Sequence, residues 1–336
     1  MKIGIDAMGG DYAPEAIIHG GVEAARAGRG EYEIVLVGDR IEINKHLSRH
    51  FRFNELPITV KHASQKVEMG ESPLTALRKK PDASIAVAMN LHKDGQLDAV
   101  VSAGHTGAAM ASALLGLGRM EGVRRPAIGS LIPYGHGATM LIDVGANLEC
   151  RADDLLQFGV MGAIYMRFVY GLDKPRVGLL NIGNEKNKGA ESHRKAHALM
   201  SESRLDFVGN IEGRDVMSGE VDVIVSDGFV GNIVLKFAES FNGVYSKNLK
   251  RKIGKKVFSK VGAFLLKPTF NGLRRIYDYE EYGGAPLLGI NGTCVICHGS
   301  STPKAIKNAA LEAVAMLRQD VNQKIRNELA GTREKN

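Results

Sequence analysis

Seven short runs of apolar, largely β-branched residues punctuate the chain: KIGID from Lys2, EIVLVGD from Glu33, LDAVVSAG from Leu97, ATMLIDVGAN from Ala138, RVGLLNIGN from Arg176, VDVIVSDG from Val221 and TCVICHG from Thr293. Each stops at Gly, Asp, Ser or Asn, and a helical pattern follows most of them. Strands that alternate with helices and are apolar throughout, instead of at every second position, belong to a parallel sheet covered on both faces. The predicted fold class is therefore α/β, a Rossmann-like layered fold with a mostly parallel sheet.

Towards the C-terminus, Thr302 suits an N-cap and Pro303 the first helical position. Apolar residues then recur at Ile306, Ala310, Ala313, Leu317 and Val321, which predicts one long helix packed by one face. From about 233 to 276 there is no strand pattern, only helical periodicity broken at Gly254, Gly262 and Pro268, so this stretch reads as a helical excursion from the sheet. No repeat, low-complexity tract or Pro/Ser-rich linker interrupts the 336 residues, and a single continuous domain is expected.

Polar residues and glycines gather where the strands end. Five corners look alike: DAMGGD (Asp6 to Asp11), SAGHTGA (Ser102 to Ala108), DVGAN (Asp143 to Asn147), NIGNEKNKG (Asn181 to Gly189) and SDGFVGN (Ser226 to Asn232). Glycine lets the backbone turn sharply and brings amides near a ligand, and a helix starting just afterwards adds its positive end. One such corner is ordinary turn chemistry; five on the carboxyl rim of a sheet predict an anion site.

Composition narrows the class. Hydrophobic residues at 44% and charged residues at 24% are ordinary for a soluble chain, and no apolar run is long enough to cross a bilayer. The N-terminal run stops at an aspartate and reads as neither a secretory nor a transit signal, so a cytoplasmic protein is expected. Three cysteines, Cys150, Cys294 and Cys297, read as reduced thiols and not as a disulfide framework. A G-x-S-x-G elbow, a G-x-G-x-x-G turn after the first strand and an H-E-x-x-H pattern are all missing, which argues against a serine hydrolase, a dinucleotide enzyme and a catalytic zinc site.

The net charge of +7 is unevenly spread. Residues 247 to 275 carry ten Lys or Arg and no Asp or Glu, which leaves 34 basic against 37 acidic residues elsewhere. That is a docking surface for something acidic and not a nucleic-acid coat.

The corners in this order, together with YGGAPLLG at 282 to 289 and HGSS at 298 to 301, resemble the PlsX family of bacterial phosphate acyltransferases over nearly the whole chain. The resemblance departs at His105, where asparagine is more usual in that family. It implies a relative of the isocitrate dehydrogenase and phosphotransacetylase folds, usually dimeric and associated with the membrane surface, that needs no organic cofactor. The implied reaction moves a fatty acyl group from acyl carrier protein onto inorganic phosphate, and the product passes to a membrane acyltransferase for phospholipid synthesis.

That chemistry asks for positioning and fixed charge, since phosphate is already anionic and the thioester releases a weakly basic thiolate. On these grounds Lys188 and Asn232 are the expected catalytic residues, Lys188 as a cation and Asn232 as an amide donor. A solvated loop lysine and a helix-capping asparagine are the plainer alternatives. Phosphate and substrate contacts are expected from Gly9, Gly10, Ser102, Gly104, His105, Thr106, Gly107, Gly183, Gly228, Gly231 and His298. Asp6, Asp143, Asn147 and Asp227 take supporting roles, because a carboxylate repels phosphate unless it orients a lysine or accepts backbone N–H bonds. In the basic segment Lys250, Arg251, Lys252, Lys255 and Lys256 suit an acidic carrier protein, whereas Val257, Val261, Phe264 and Leu265 at helical spacing suit an anionic lipid surface or a packed core.

Overall fold

The computed structural model describes residues 1–135, 137–253, 262, 263, 265–269, 272 and 279–333. Lys255, Lys256, Val257, Val261 and Phe264, and the side chain of Lys250, lie outside the described residues. Strand and helix alternate as β1 (Lys2–Asp6), α1 (Glu15–Gly28), β2 (Glu33–Gly38), α2 (Arg40–Leu47), β3 (Ile58–His62), α3 (Pro73–Lys79), α4 (Ser84–Lys93), β4 (Ala99–Ser102), α5 (Thr106–Gly116), β5 (Ala127–Tyr134) and β6 (Gly137–Ile142). The series continues with α6 (Ala152–Val169), β7 (Arg176–Leu180), α7 (Glu191–Ser201), β8 (Asp206–Ile211), β9 (Val223–Val225), α8 (Gly228–Ile253), β10 (Ala285–Leu288), β11 (Thr293–Ile296), α9 (Pro303–Arg318) and α10 (Val321–Arg333).

The chain divides into two compact units, one of Met1–Gly129, Val160–Asp173 and Glu280–Asn336, the other of Ser130–Gly159 and Lys174–Tyr279. Two of the crossings fall inside β5 and α6, so the sequence carries no linker composition to mark them.

In the first unit β3, β2, β1, β4 and β11 run parallel in that order, and β10 joins antiparallel between β11 and the start of β5. Ile3, Ile5, Ile34, Leu36, Val100, Val101 and Val295 are buried in these strands. Helix α1 lies against α9 at Gly20, where a Cβ would stand 2.5 Å from the Ile306 Cβ. In the second unit β6, β9, β7 and β8 are all parallel, and Leu141, Val177, Leu179 and Ile224 are buried.

The predicted long C-terminal helix is two helices. Thr302 caps α9, its side chain accepting from the Ala305 N–H, but Asp320 takes the left-handed region at φ 48° and ends the run before α10 begins. The apolar seam survives the break, with Ile306, Ala310, Ala313 and Val321 buried and Leu317 half-buried.

Candidate active site

Three corners meet in the first unit because β1, β4 and β11 are neighbours whose ends lie in register, Asp6 opposite Ser102 and Ser102 opposite Ile296. The loops interlock. Asp11 N–H donates to the Gly299 carbonyl at 2.7 Å, and a Cβ on Gly9 would stand 2.8 Å from Gly104. Gly10 holds φ 121° with the carbonyls of Ala103 and Gly299 close by, a position a side chain would strain.

Beneath them Asp6 is buried and accepts from two hydroxyls, Ser84 at 2.5 Å and Ser102 at 2.7 Å. Burial pushes the Asp6 carboxyl above its ordinary value, against the opposing pull of these hydrogen bonds. Ser102 Oγ accepts in turn from the Gly104 N–H at 3.2 Å. His105 is the N-cap of α5, and its Nδ1 accepts from the Gly107 N–H at 3.1 Å. An asparagine would cap the helix in the same way, and with Nδ1 accepting, the ring proton of a neutral His105 sits on Nε2. Asp6, Gly9, Ser84, Ser102, Gly104, His105 and Lys66 line one pocket of about 240 Å³, its open mouth included. Thr106 and His298 are exposed, and the His298 Nδ1 is engaged by Ser300.

The second unit has its own cluster. Asp143, fully buried, accepts from the N–H groups of Gly145, Ala146 and Asn147 and from the Asn147 side-chain amide, at 2.7 to 3.3 Å. The first turn of α8 rests on this corner, and Gly228 N–H donates to the Asn147 carbonyl at 2.7 Å. Gly228 and Gly231 make the approach possible, since a Cβ on Gly231 would lie 1.9 Å from the Asp143 carbonyl oxygen. Asp227 accepts from the Val230 N–H at 2.9 Å as a cap would. Asn232 is exposed one turn further on, and a Cβ on Gly145 would lie 3.9 Å from it.

Lys188 sits in the loop after β7. Its side chain is 47% exposed, with the ammonium 3.8 Å from a Glu185 oxygen. Asn181 draws the loop closed by donating to the Lys188 carbonyl at 3.1 Å, and Gly183 packs against the Lys188 stem.

The site residues expected from the sequence thus fall into two groups. Asp6, Gly9, Gly10, Ser102, Gly104, His105, Thr106, Gly107 and His298 lie in the first unit; Asp143, Asn147, Gly183, Lys188, Asp227, Gly228, Gly231 and Asn232 lie in the second. Many amides read as anion donors already have partners. Those of Gly104, Gly107, Gly145, Ala146, Asn147, Gly228 and Gly231 are used inside the corners. Ser84 and Lys66 went unread: Ser84 opens a helix with no marking pattern, and Lys66 lies in a mixed polar loop.

Covalent catalysis by a thiol finds no support. Cys150 lies near the Asp143 corner, but burial, with the carboxylates of Asp143, Asp154 and Asp227, pushes its thiol up to about 12. Cys294 and Cys297 are buried and raised as well. Among the described residues no group of three or more His, Cys, Asp or Glu could hold a metal, and no helix is long and apolar enough to cross a membrane.

A family model described as fatty acid synthesis protein matches residues 1–324. A phosphate acyltransferase of Pelotomaculum thermopropionicum is 50% identical over 309 residues, 92% of this chain and 89% of that protein. One from Syntrophotalea carbinolica is 46% identical over 329 residues, 98% of this chain and 93% of that protein. A solved phosphotransacetylase from Streptococcus pyogenes shares the fold with a TM-score of 0.62 at 18% identity, over 94% of each chain. EutD phosphotransacetylase from Staphylococcus aureus does so with a TM-score of 0.59 at 16% identity, again over 94% of each chain. With a family model spanning almost its whole length and about half its residues shared with phosphate acyltransferases, this chain is an acyltransferase and belongs to the fatty acid synthesis protein family, the PlsX phosphate acyltransferases of fatty acid and phospholipid synthesis.

Proposed function

We propose that the chain transfers a long-chain fatty acyl group from acyl carrier protein to inorganic phosphate. The acyl phosphate is released to a membrane acyltransferase, and the enzyme works as a cytoplasmic homodimer held at the inner face of the cell membrane. A phosphate oxygen attacks the thioester carbonyl carbon, the C–S bond breaks, and the carrier's thiolate leaves to take a proton from water. Neither a strong base nor a covalent residue is required. Lys188 supplies positive charge to the phosphate and the forming acyl phosphate. Asn232 donates its side-chain amide to the carbonyl oxygen as it gains charge. Thr106 and the Nε2 proton of His105 are anion donors of the first unit, and Arg251 and Lys252 receive the acidic carrier protein.

The observation that carries this reading is that many corner amides are spent on building the corners, while Asn232 stands exposed beside the Asp143 corner and Lys188 stands exposed in the loop after β7. Side chains are then among the groups that meet an anionic substrate and a developing oxyanion. Cys150, held as a neutral thiol, favours direct attack over a thioester relay.

The deciding assay incubates the protein with phosphate and either long-chain acyl-acyl carrier protein or the matching acyl coenzyme A, then traps acyl phosphate as the hydroxamate. Phosphate-dependent hydroxamate from the carrier-protein thioester is expected. Product from the coenzyme A thioester alone would move the enzyme to a phosphotransacetylase-like donor. No product from either would leave a noncatalytic anion-binding protein of the membrane surface.

A further inference from the structure

In a regular strand, residues two apart share a face and residues three apart point to opposite faces. Strand β8 departs from this. Its pairing with β7 slips at Val177/Gly178, so that Phe207 faces Val177 while Gly209 faces Gly178, and Val208 is the extra residue. Gly209 takes φ 106° and Val208 turns out to solvent. Phe207 and Asn210, three apart, therefore meet the same side chain of α7. The His197 ring packs edge-on to Phe207 at 5.1 Å, and its Nδ1 lies 3.1 Å from Asn210 Oδ1.

His197 and Asn210 are 7% and 6% exposed, so both polar groups must be satisfied inside the protein. Asn210 Nδ2 donates to the Glu185 carbonyl at 2.8 Å, which makes Oδ1 the acceptor and places a proton on His197 Nδ1. Glu185 lies in the loop that carries Lys188: the Lys188 N–H donates to that same carbonyl at 3.1 Å, and the Glu185 carboxylate approaches the ammonium. A hydrogen-bonded chain, buried at His197 and Asn210, thus runs from α7 to the turn whose far end is Lys188. A bulge that re-aims a side chain beside a functional loop is a recurrent device.

We infer that Asn210, seated by His197 and the β8 bulge, is a positioning residue that fixes the 181–189 loop and through it the Lys188 ammonium. The inference rests on the role proposed for Lys188. Asn210→Asp keeps the shape and the acceptor for His197 but sets a carboxylate oxygen against the Glu185 carbonyl. In the full-length enzyme, assayed by hydroxamate trapping, this variant is expected to lower kcat/KM for phosphate about tenfold while KM for the acyl thioester stays within about twofold. Amide hydrogen exchange over residues 182–189 should quicken. On a Lys188→Ala background the same change should add less than about twofold, because its effect passes through the lysine. If Asn210→Asp does not fold, His197→Phe carries the test, with a smaller loss in the same direction.

An unchanged kcat/KM for phosphate, unaltered exchange in the loop, or full additivity with Lys188→Ala would overturn the positioning role. Near wild-type turnover by Lys188→Ala alone would instead remove the role of the lysine, whatever Asn210→Asp does.

Discussion

At the scale of single residues, Lys188 and Glu312 stand at opposite ends of the range of environments. Lys188 is half-exposed and weakly paired, so removing it costs the fold little. On the role proposed for it, its loss removes a charge where charge develops, and Lys188→Ala is expected to lower acyl phosphate formation at least about 100-fold at near-unchanged melting temperature. Steady-state kinetics and thermal unfolding on one preparation check both halves. Glu312 is buried on α9, accepts from the Tyr165 hydroxyl, and has the Gly284 N–H at 3.4 Å. Burial outweighs these bonds and raises its carboxyl from 4.5 to about 8. Between those values the unfolded chain has released a proton that the folded chain keeps, so stability falls as pH climbs through the window and levels off above it. Glu312→Gln never ionises. It should flatten the dependence between about pH 5 and pH 8 and match or exceed the wild-type melting temperature at pH 8, as unfolding scans across that range would show.

At the scale of elements, α8 and the corner beneath it form one device. The helix reaches the Asp143 corner only because residues 228 and 231, three apart on one helix face, are both glycine. Gly231→Ala places a methyl group where the Asp143 carbonyl oxygen already stands, and the helix must lift. The expected cost is at least about 2 kcal/mol in urea denaturation, with lost activity, since Asn232 moves with the helix. All seven strands predicted from apolar runs are present; β3, β5, β8 and β10 were not legible. β3 and β8 each pair with a single neighbour, and such strands need less apolar content: ITVKH is largely exposed and DFVGNI carries the bulge. AIGSLIPY and APLL contain proline, which argues against a strand in sequence. At the site, glycine-rich corners were readable as corners, but not the destination of their amides. That depends on Asp143, Ser102 and His105 folding back onto N–H groups two to four residues away. Asn210 gave no local sign, because its role comes from a slip in pairing with another strand.

At the scale of the whole molecule, charge is the property that no single contact explains. The excess of +7 is confined to 247–275, while the rest of the chain is slightly acidic. Arg251 and Lys252 on α8 and Lys267 are the described, exposed basic members of that segment. Steering of an acidic carrier protein acts over roughly a Debye length, about 10 Å at 0.1 M salt, and on one substrate alone. The double variant Arg251→Glu, Lys252→Glu should therefore raise KM for acyl-acyl carrier protein about tenfold at low salt, leave KM for phosphate unchanged, and converge on the wild type near 0.5 M salt. A purely structural role of the two side chains would lower the melting temperature without this substrate and salt dependence. Equal KM values at low salt would take the carrier protein away from this segment and leave the anionic lipid surface as the partner for its charge.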